Sequence, residues 1–192
     1  MSSIRIIPIP PVDHDLLVSL ISPVSLAFST TVEIDDNQTI NPFFAFDYSR
    51  NQYNSTALIA RLVQRSPEES NKVIGVTAVD LFVHVLTYVF GEAQLRGPFA
   101  VVSSYRLDET LYGMPHNPQL LTERLIKEVI HELGHCFGLI HCHDYACVMR
   151  SSTAVEEIDV KSGVFCGECK GKLHKDCGST ARRDCVIAEY IR

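Results

Sequence analysis

The chain has 192 residues, of which 46% are hydrophobic and 21% are charged, proportions that are ordinary for a soluble globular protein. Its 17 basic and 23 acidic residues give a net charge of −6, which argues against nucleic acid as the main partner because such proteins usually carry a basic patch. No apolar run approaches the ~18 residues that span a bilayer, and the N-terminus lacks the apolar core of a signal peptide. We therefore predict a cytoplasmic monomer that binds neither nucleic acid nor a membrane.

The first third of the chain predicts strands and helices in alternation. A β-branched run at residues 4–9 is typical of a strand inside a sheet. Asp13 can cap a helix whose apolar residues recur at helical spacing until Pro23 interferes. The other elements predicted in this part are a strand at residues 28–34 and a helix from Asn54 or Ser55 to about Ser66.

The middle third predicts three strands and then a long helix. Residues 73–85 form the longest β-branched run, although a glycine and an aspartate interrupt it. Two shorter strands are expected at residues 87–93 and 99–107, with a glycine and proline turn between them. Asn117 and Pro118 then supply the cap and the first-turn proline of a helix.

That helix carries the sequence HELGHCFGLIH, which begins at His131. Because His131 and His135 are four residues apart, both imidazoles lie on one face and can bind a single metal ion. A continuous helix would place His141 ~9 Å further along its axis, too far for ~2 Å zinc–nitrogen bonds to converge. Gly138 stands where the helix must break, because glycine accepts the left-handed conformation that ends helices.

The three histidines predict a catalytic zinc ion with its own general base. Three neutral imidazoles leave a fourth position for water, whose pKa the metal can lower towards ~7. Glu132 directly follows the first ligand and is placed to take the proton. The short HExxH pattern also occurs in helices that bind no metal, and Gly138 and His141 argue against that alternative.

The extended motif resembles that of the metzincin clan of zinc peptidases, and the residues after it narrow the resemblance. Cys142 follows the third histidine, Cys147 and Met149 come next, and Cys166 and Cys169 close the pattern. This arrangement is similar to the archaemetzincins, whose signature adds four cysteines and a methionine turn to the long histidine motif. The loop between Met149 and the second cysteine pair is one residue shorter than in the family's pattern, a difference that a chain tolerates.

The resemblance implies an α+β fold: a metzincin-like single domain with a mixed twisted sheet, backing helices and an active-site helix. Residues 1–141 would hold the sheet and that helix, and residues 142–192 a small zinc-stapled C-terminal subdomain with the methionine turn. The resemblance also implies that Met149 packs beneath the catalytic zinc. The strand at residues 87–93 would form the upper rim of the cleft and offer its backbone edge to an extended peptide. A gap-filling methionine and a plain edge strand are the alternatives.

Four of the seven cysteines have metal-ligand spacing, namely Cys142, Cys147, Cys166 and Cys169. Two such pairs can close a tetrahedral site, and because no position is left for water, its zinc would be structural. Buried, reduced cysteines are the alternative. The competing ligand candidates are His143, His174 and Cys177. Cys136 and Cys185 are predicted to be core residues.

These features predict a zinc metallopeptidase with two Zn²⁺ ions per chain, which acts on a peptide or protein substrate. Glu132 would serve as the base and then pass the proton to the leaving amine. One alternative is a zinc hydrolase of small amides or other acyl substrates with the same site. The other is a catalytically silent zinc-bound module that binds peptides or acts as a scaffold. Tyr145 is either a transition-state donor or a surface aromatic.

Overall fold

The computed structural model describes residues 3–65 and 71–176. In these ranges the strands are β1 (Ile4–Pro8), β2 (Val32–Ile34), β3 (Phe46–Asp47), β4 (Gln52–Asn54), β5 (Lys72–Thr77), β6 (Leu81–Phe82), β7 (Gly91–Ala93) and β8 (Phe99–Ser103). The α-helices are α1 (His14–Phe28), α2 (Ser55–Arg65), α3 (Pro118–Cys136), α4 (Val155–Val160) and α5 (Gly167–Asp176). Among these residues no helix has both the length and the apolar character needed to cross a membrane. The cytoplasmic location and the monomeric state stay predictions.

Five strands form the main sheet, in the order β2-β1-β5-β8-β7. β1 pairs in parallel with β2 and β5, and β5 pairs in parallel with β8, whereas β7 runs antiparallel to β8. A second sheet has the order β3-β4-β6. The predicted α+β class and mixed sheet are therefore confirmed, with β1 inside the sheet and β7 at its edge.

Helices cover both faces of the main sheet. On one face α1 and α3 pack against alternate strand residues, which are Ile4, Ile6, Ile74, Val76, Ala100 and Val102. On the other face α2 packs against the intervening residues, among them Ile7, Val73, Phe99 and Val101. Because successive side chains of a strand point to opposite faces, burial on both faces requires the nearly continuous apolar sequence of these strands.

Helix α1 continues past Pro23, so the prediction that the helix is disturbed there was wrong. Proline removes one backbone donor and crowds the preceding turn of a helix. Leu20 and Val24 are both fully buried in the core beneath this part of the helix, and their packing outweighs the missing hydrogen bond. The helix ends at Phe28, where Ser29 adopts the left-handed conformation with φ 51°.

The strand predicted at residues 73–85 is two strands in different sheets. β5 ends at Thr77, and β6 joins the second sheet. Between them lies Asp80, whose carboxylate accepts hydrogen bonds from the Arg106 guanidinium at 2.6 and 2.7 Å and from the Gln52 amide at 2.9 Å. These partners are distant in sequence, so local β propensity could not predict that the chain bends here.

Three other predicted strands are longer than the segments that pair. The strands that form there are Val32–Ile34, Gly91–Ala93 and Phe99–Ser103, with an isolated bridge from Val89 to Leu81 before the second. The strand after α1 begins late because the helix extends to Phe28. After β8 the chain enters a 3-10 turn at Tyr105–Leu107.

Helix α3 begins as the sequence predicts. The Asn117 side chain accepts a hydrogen bond from the Leu120 backbone N–H at 3.1 Å, and Pro118 is the first helical residue. The side of the helix that faces the core carries Leu125, Val129, Ile130 and Leu133. The last two turns of this anchored helix carry the HELGH sequence.

The residues that follow α3 pack against the same core as the sheet. Their buried contributions include Val148, Met149, Val155, Ile158, Phe165 and Leu173. This shared core ties the C-terminal part to α3. The boundary between residues 1–141 and 142–192 stays a prediction.

Candidate active site and second metal centre

The end of α3 brings its two histidines to a chain reversal. The helix ends at Cys136, and Gly138 has a φ of 92°, the left-handed conformation that glycine adopts without strain. The Gly138 N–H donates to the His135 carbonyl and the Leu139 N–H to the Gly134 carbonyl, both at 2.9 Å. The predicted break is therefore present, and it turns the chain back so that His141 faces the helix.

Three imidazole rings converge at this point. Candidate ligand nitrogens of His131, His135 and His141 all lie within 4.8 Å of one another. The Nε2 atoms of His131 and His135 are 3.1 Å apart. Two imidazoles that share a tetrahedral zinc at about 2.0–2.1 Å would have their nitrogens about 3.3 Å apart. The arrangement of the three rings thus fits a zinc ion.

Backbone carbonyls orient the two helical histidines. His131 Nδ1 donates to the Val148 carbonyl at 2.9 Å, and His135 Nδ1 donates to the Leu139 carbonyl at 2.7 Å. A carbonyl can only accept, so each Nδ1 must carry the proton. Burial lowers the pKa of His131 well below its usual value and that of His135 to about 4. Both rings are therefore neutral near pH 7, and each Nε2 keeps a lone pair that can bind a metal ion.

Glu132 is almost completely enclosed, with 6% of its surface exposed. Burial raises the pKa of its carboxyl well above the usual value, the nearby Glu128 carboxylate raises it further, and the Lys161 ammonium opposes both. The edge strand closes directly over the side chain. A methyl group added at Gly91 would lie 2.7 Å from both Cγ and Oε1 of Glu132. Glu132 thus lies between α3 and β7 in a low-dielectric position that suits proton transfer.

Met149 lies fully buried below the helix that carries the histidines. A side chain at Gly134 would overlap the Met149 sulfur, so this glycine allows the helix to approach the methionine closely. That Met149 packs beneath the catalytic zinc stays a prediction.

Four cysteine sulfurs form a second cluster. All the Sγ atoms of Cys142, Cys147, Cys166 and Cys169 lie within 4.8 Å of one another. Cys142 and Cys166 are 3.8 Å apart, as are Cys147 and Cys169, which is far longer than a disulfide bond of about 2 Å. Thiolates around a tetrahedral zinc at about 2.3 Å would be about 3.8 Å apart. The set of four thiols therefore fits a closed zinc site.

The other ligand candidates do not join either cluster within the described part of the chain. His143 is exposed and lies outside the cysteine group. Cys136 is 1% exposed and belongs to the core, as predicted, and burial raises the pKa of its thiol to about 12. The predictions for the His174 side chain, Cys177 and Cys185 lie outside the described residues.

Tyr145 is a surface residue in this structure. It is 70% exposed, and the Arg150 guanidinium carbon lies 4.2 Å from its ring centre. Its role as a transition-state donor stays a prediction.

Sequence reasoning missed three residues next to Glu132 and the histidines. Glu128 and Lys161 form a buried ion pair at 2.8 Å, and Gly91 contacts the Glu132 side chain. Glu128 could have been noticed because it lies one helical turn before Glu132. Neither Lys161 nor Gly91 has a local signal, because tertiary packing alone brings them to the site.

A cavity of about 430 Å³ borders residues of both clusters. It is lined by residues 139–144 on one side and by residues 166–169 and Lys172 on the other. His141 borders this cavity and is the exposed member of the histidine cluster, whereas His131 is buried. Solvent therefore reaches the histidine site from the side of its third member.

Comparisons with known proteins agree with this geometry. The model of peptidase family M54 matches residues 30–175. The archaemetzincin of Pyrococcus furiosus is 37% identical over 180 residues, which are 91% of this chain and 94% of that protein. The crystal structure of a zinc-dependent peptidase from Methanocorpusculum labreanum has a TM-score of 0.81 and 28% identity, and covers 88% of this chain and 99% of its own. An archaemetzincin structure from Methanopyrus kandleri has a TM-score of 0.80 and 32% identity, with coverage of 93% and 96%.

Proposed function

Because the chain belongs to peptidase family M54, the archaemetzincins, and is therefore a zinc-dependent metallopeptidase, we propose a role in catalysis for each residue of the histidine site. His131, His135 and His141 hold the catalytic zinc, and Glu132 is the general base in peptide-bond hydrolysis. The observation that carries this proposal is the convergence of three imidazoles, two of them oriented by carbonyls, beside one buried carboxylate.

The chemistry requires a proton to be moved twice. When bound, the zinc ion would lower the pKa of water and polarise the scissile carbonyl. Glu132 accepts a proton from the water while the water oxygen forms a bond to the carbonyl carbon. The same carboxyl then donates that proton to the amine nitrogen as the carbon–nitrogen bond breaks. The raised pKa of Glu132 suits both steps, because the group must hold the proton between them.

The edge strand β7 is the proposed docking site for the substrate backbone. The Ser103 N–H donates to the Phe90 carbonyl and the Gln94 N–H to the Phe99 carbonyl, so in this antiparallel ladder Gly91 and Ala93 are non-hydrogen-bonded positions. Their N–H and C=O groups point to the open edge of the sheet, next to Glu132. An extended peptide that pairs with this edge would bring its backbone close to the catalytic residues.

The four cysteines hold the second, structural zinc in this proposal. They join two chain segments that are separated by the turn under the histidines, and a closed thiolate site leaves no position for a substrate. Its contribution is to stability and to the placement of that turn.

Peptide-library cleavage followed by mass spectrometry tests the catalytic proposal. Zinc-loaded wild-type protein and the variant Glu132→Ala are incubated with the same library, and the zinc content of both is measured. We expect cleavage by the wild type and a loss of about 10²–10⁴-fold in the variant, the range for removal of a general acid–base, with two zinc ions per chain in each.

The controls separate the alternatives. His84→Ala changes an exposed histidine that lies outside the cluster and should leave cleavage unchanged. Equal turnover by the wild type and Glu132→Ala would overturn the assigned role. Turnover of small amides without any cleavage of peptides would instead favour a different hydrolase.

A further inference from the structure

We infer that Lys161 is a positioning residue of the histidine site, which holds in place the turn that orients His131. This inference rests on the proposed role of the three histidines as metal ligands. Lys161 is the residue that directly follows α4 and lies outside the histidine motif and the cysteine pattern. Its side chain is 1% exposed, so its charge is enclosed within the protein.

The turn at residues 147–150 connects the parts of the site through three successive carbonyls. The Val148 carbonyl accepts from His131 Nδ1 at 2.9 Å. The Met149 carbonyl accepts from the backbone N–H of Cys142, next to His141, also at 2.9 Å. The Arg150 carbonyl accepts from the Lys161 ammonium at 3.2 Å. A displacement of this turn would therefore move the hydrogen-bond partner of His131 and the residue that follows His141.

Lys161 connects the turn back to the active-site helix. Its Nζ lies 2.8 Å from Oε1 of Glu128, whose side chain is 4% exposed. This contact is an ion pair without the alignment of a hydrogen bond. Glu128 lies one turn before His131 on α3. The contacts thus run from Glu128 on α3 to Lys161, from Lys161 to the turn, and from the turn to His131, which is also on α3.

Burial makes the position of this ammonium well defined. A lysine head group in water can take many positions, whereas an enclosed one is held by the groups that satisfy its charge. Lys161 has two such groups among the described residues, the Glu128 carboxylate and the Arg150 carbonyl. Removing the ammonium takes away one of the contacts that tie the turn to α3, so the Val148 carbonyl is held less firmly beside His131.

Arg124 provides a matched comparison on the same helix. It lies one turn before Glu128, its side chain is 3% exposed, and it binds the Asp159 carboxylate at 2.6 and 2.7 Å. Its other partners are Glu109 and the Leu107 carbonyl. None of these partners belongs to the turn at residues 147–150. Arg124 thus joins the same two helices, α3 and α4, without any contact to the groups that orient the histidines.

Cobalt binding to the full-length chain tests this inference. The protein is first loaded with one equivalent of zinc, which the four thiolates favour over imidazoles, and is then titrated with Co²⁺. The visible ligand-field absorption reports occupation of the histidine site, and the absence of intense sulfur-to-cobalt absorption in the near ultraviolet confirms that the cysteines retain zinc. Thermal unfolding is followed on the same samples.

We compare the wild type, Lys161→Met, Arg124→Met and the double variant Glu128→Leu with Lys161→Met. The double variant replaces a buried ion pair by apolar groups, a change that proteins often tolerate, and so keeps the test valid if Lys161→Met alone does not fold. Both Lys161 variants should bind Co²⁺ about 10–100-fold more weakly, the usual effect of losing a group that orients metal ligands, with an altered absorption band. Arg124→Met should lower the unfolding temperature but bind Co²⁺ like the wild type.

The outcomes distinguish this inference from the proposed function. Wild-type cobalt affinity and an unchanged spectrum in the double variant would overturn the positioning role alone. Equal weakening in Arg124→Met would overturn it as well, because any lost ion pair would then have the same effect. If the wild type gives no ligand-field absorption at all, the histidine metal site itself is refuted and the proposed function fails with it.

Discussion

The histidine cluster and the cysteine cluster are joined by a single peptide bond, between His141 and Cys142, yet they are built differently. The three histidines pass from buried through half-buried to exposed, whereas the cysteines alternate between half-buried and buried. Three imidazoles around a zinc ion leave a fourth coordination position for water or substrate, whereas four thiolates leave none. Neighbouring metal sites in one core can thus serve catalysis and stability separately.

The two clusters also differ in the chain segments that they join. Two histidines come from the last two turns of α3 and the third follows a short reversal, so the helix largely organises that site. The cysteines come from residues 142–147 and 166–169, and most of the C-terminal core lies between them. Loss of the histidine metal should therefore leave the fold intact, whereas loss of the cysteine metal should release the C-terminal part.

The double variant Cys166→Ser with Cys169→Ser should have the largest effect on folding. A structural zinc contributes folding free energy directly, and its loss should lower the unfolding temperature by at least about 10 °C, since each kcal/mol is worth about 2–4 °C in a chain of this size. Amide hydrogen exchange should show lost protection in α5 and at residues 147–150, while β1 and β5 stay protected.

Cys136→Ala is the matched control for this variant. Cys136 is buried in the same core but lies outside the cluster, so its replacement should leave the zinc content at two ions per chain. A cysteine double variant that keeps its second zinc and its hydrogen-exchange pattern would refute the structural assignment.

Gly91→Ala should lower catalytic activity without affecting metal binding or the fold. The added methyl group would meet Cγ and Oε1 of Glu132 at 2.7 Å, so the carboxylate must move while the helix stays in place. Because a misplacement of about 1 Å can cost about 10²-fold in rate, we expect kcat to fall about 10–100-fold. Zinc content and unfolding temperature should stay close to wild type, as measured by metal analysis and circular dichroism.

Gly163→Ala controls for the loss of a glycine elsewhere. A methyl group at this position would have only the Lys127 Cγ atom nearby, at 3.9 Å. Its kinetics should match those of the wild type. Unchanged kcat in Gly91→Ala would show that the edge strand does not determine the position of Glu132.

The parts of the site that were predicted from the sequence are those with local causes. The cap at Asn117, the helical spacing of His131 and His135 and the reversal at Gly138 each depend on a few neighbouring residues. The cysteine pattern could be identified for the same reason, since ligand spacing is a property of short segments. In the same way, the β-branched run of β1 was enough to predict a strand inside the sheet.

The failures have tertiary causes. Pro23 remains inside a helix because the surrounding residues are buried, and Asp80 bends a strand because its partners come from other elements. Lys161 has no motif around it, and only the fold reveals that its ammonium lies between Glu128 and the turn at residues 147–150. Propensity and spacing describe neighbours in sequence, whereas these contacts depend on the completed core.

Gly138→Ala should have the smallest effect of the changes considered. At a φ of 92° an L side chain is strained by about 1–2 kcal/mol, which corresponds to a fall of about 2–8 °C in unfolding temperature. Gly171→Ala serves as the control, because that position lies within α5 with open space around it and alanine favours a helix. It should leave stability unchanged or slightly raised.

The effect of Gly138→Ala on metal binding decides how far the two clusters depend on each other. The reversal at Gly138 determines where His141 lies, and His141 is bonded directly to Cys142. If the displacement extends no further than His141, cobalt affinity at the histidines should fall while the cysteine zinc stays in place. If both metals are weakened together, the peptide bond between the clusters transmits the displacement, and the separation of catalysis from stability is incomplete at this one connection.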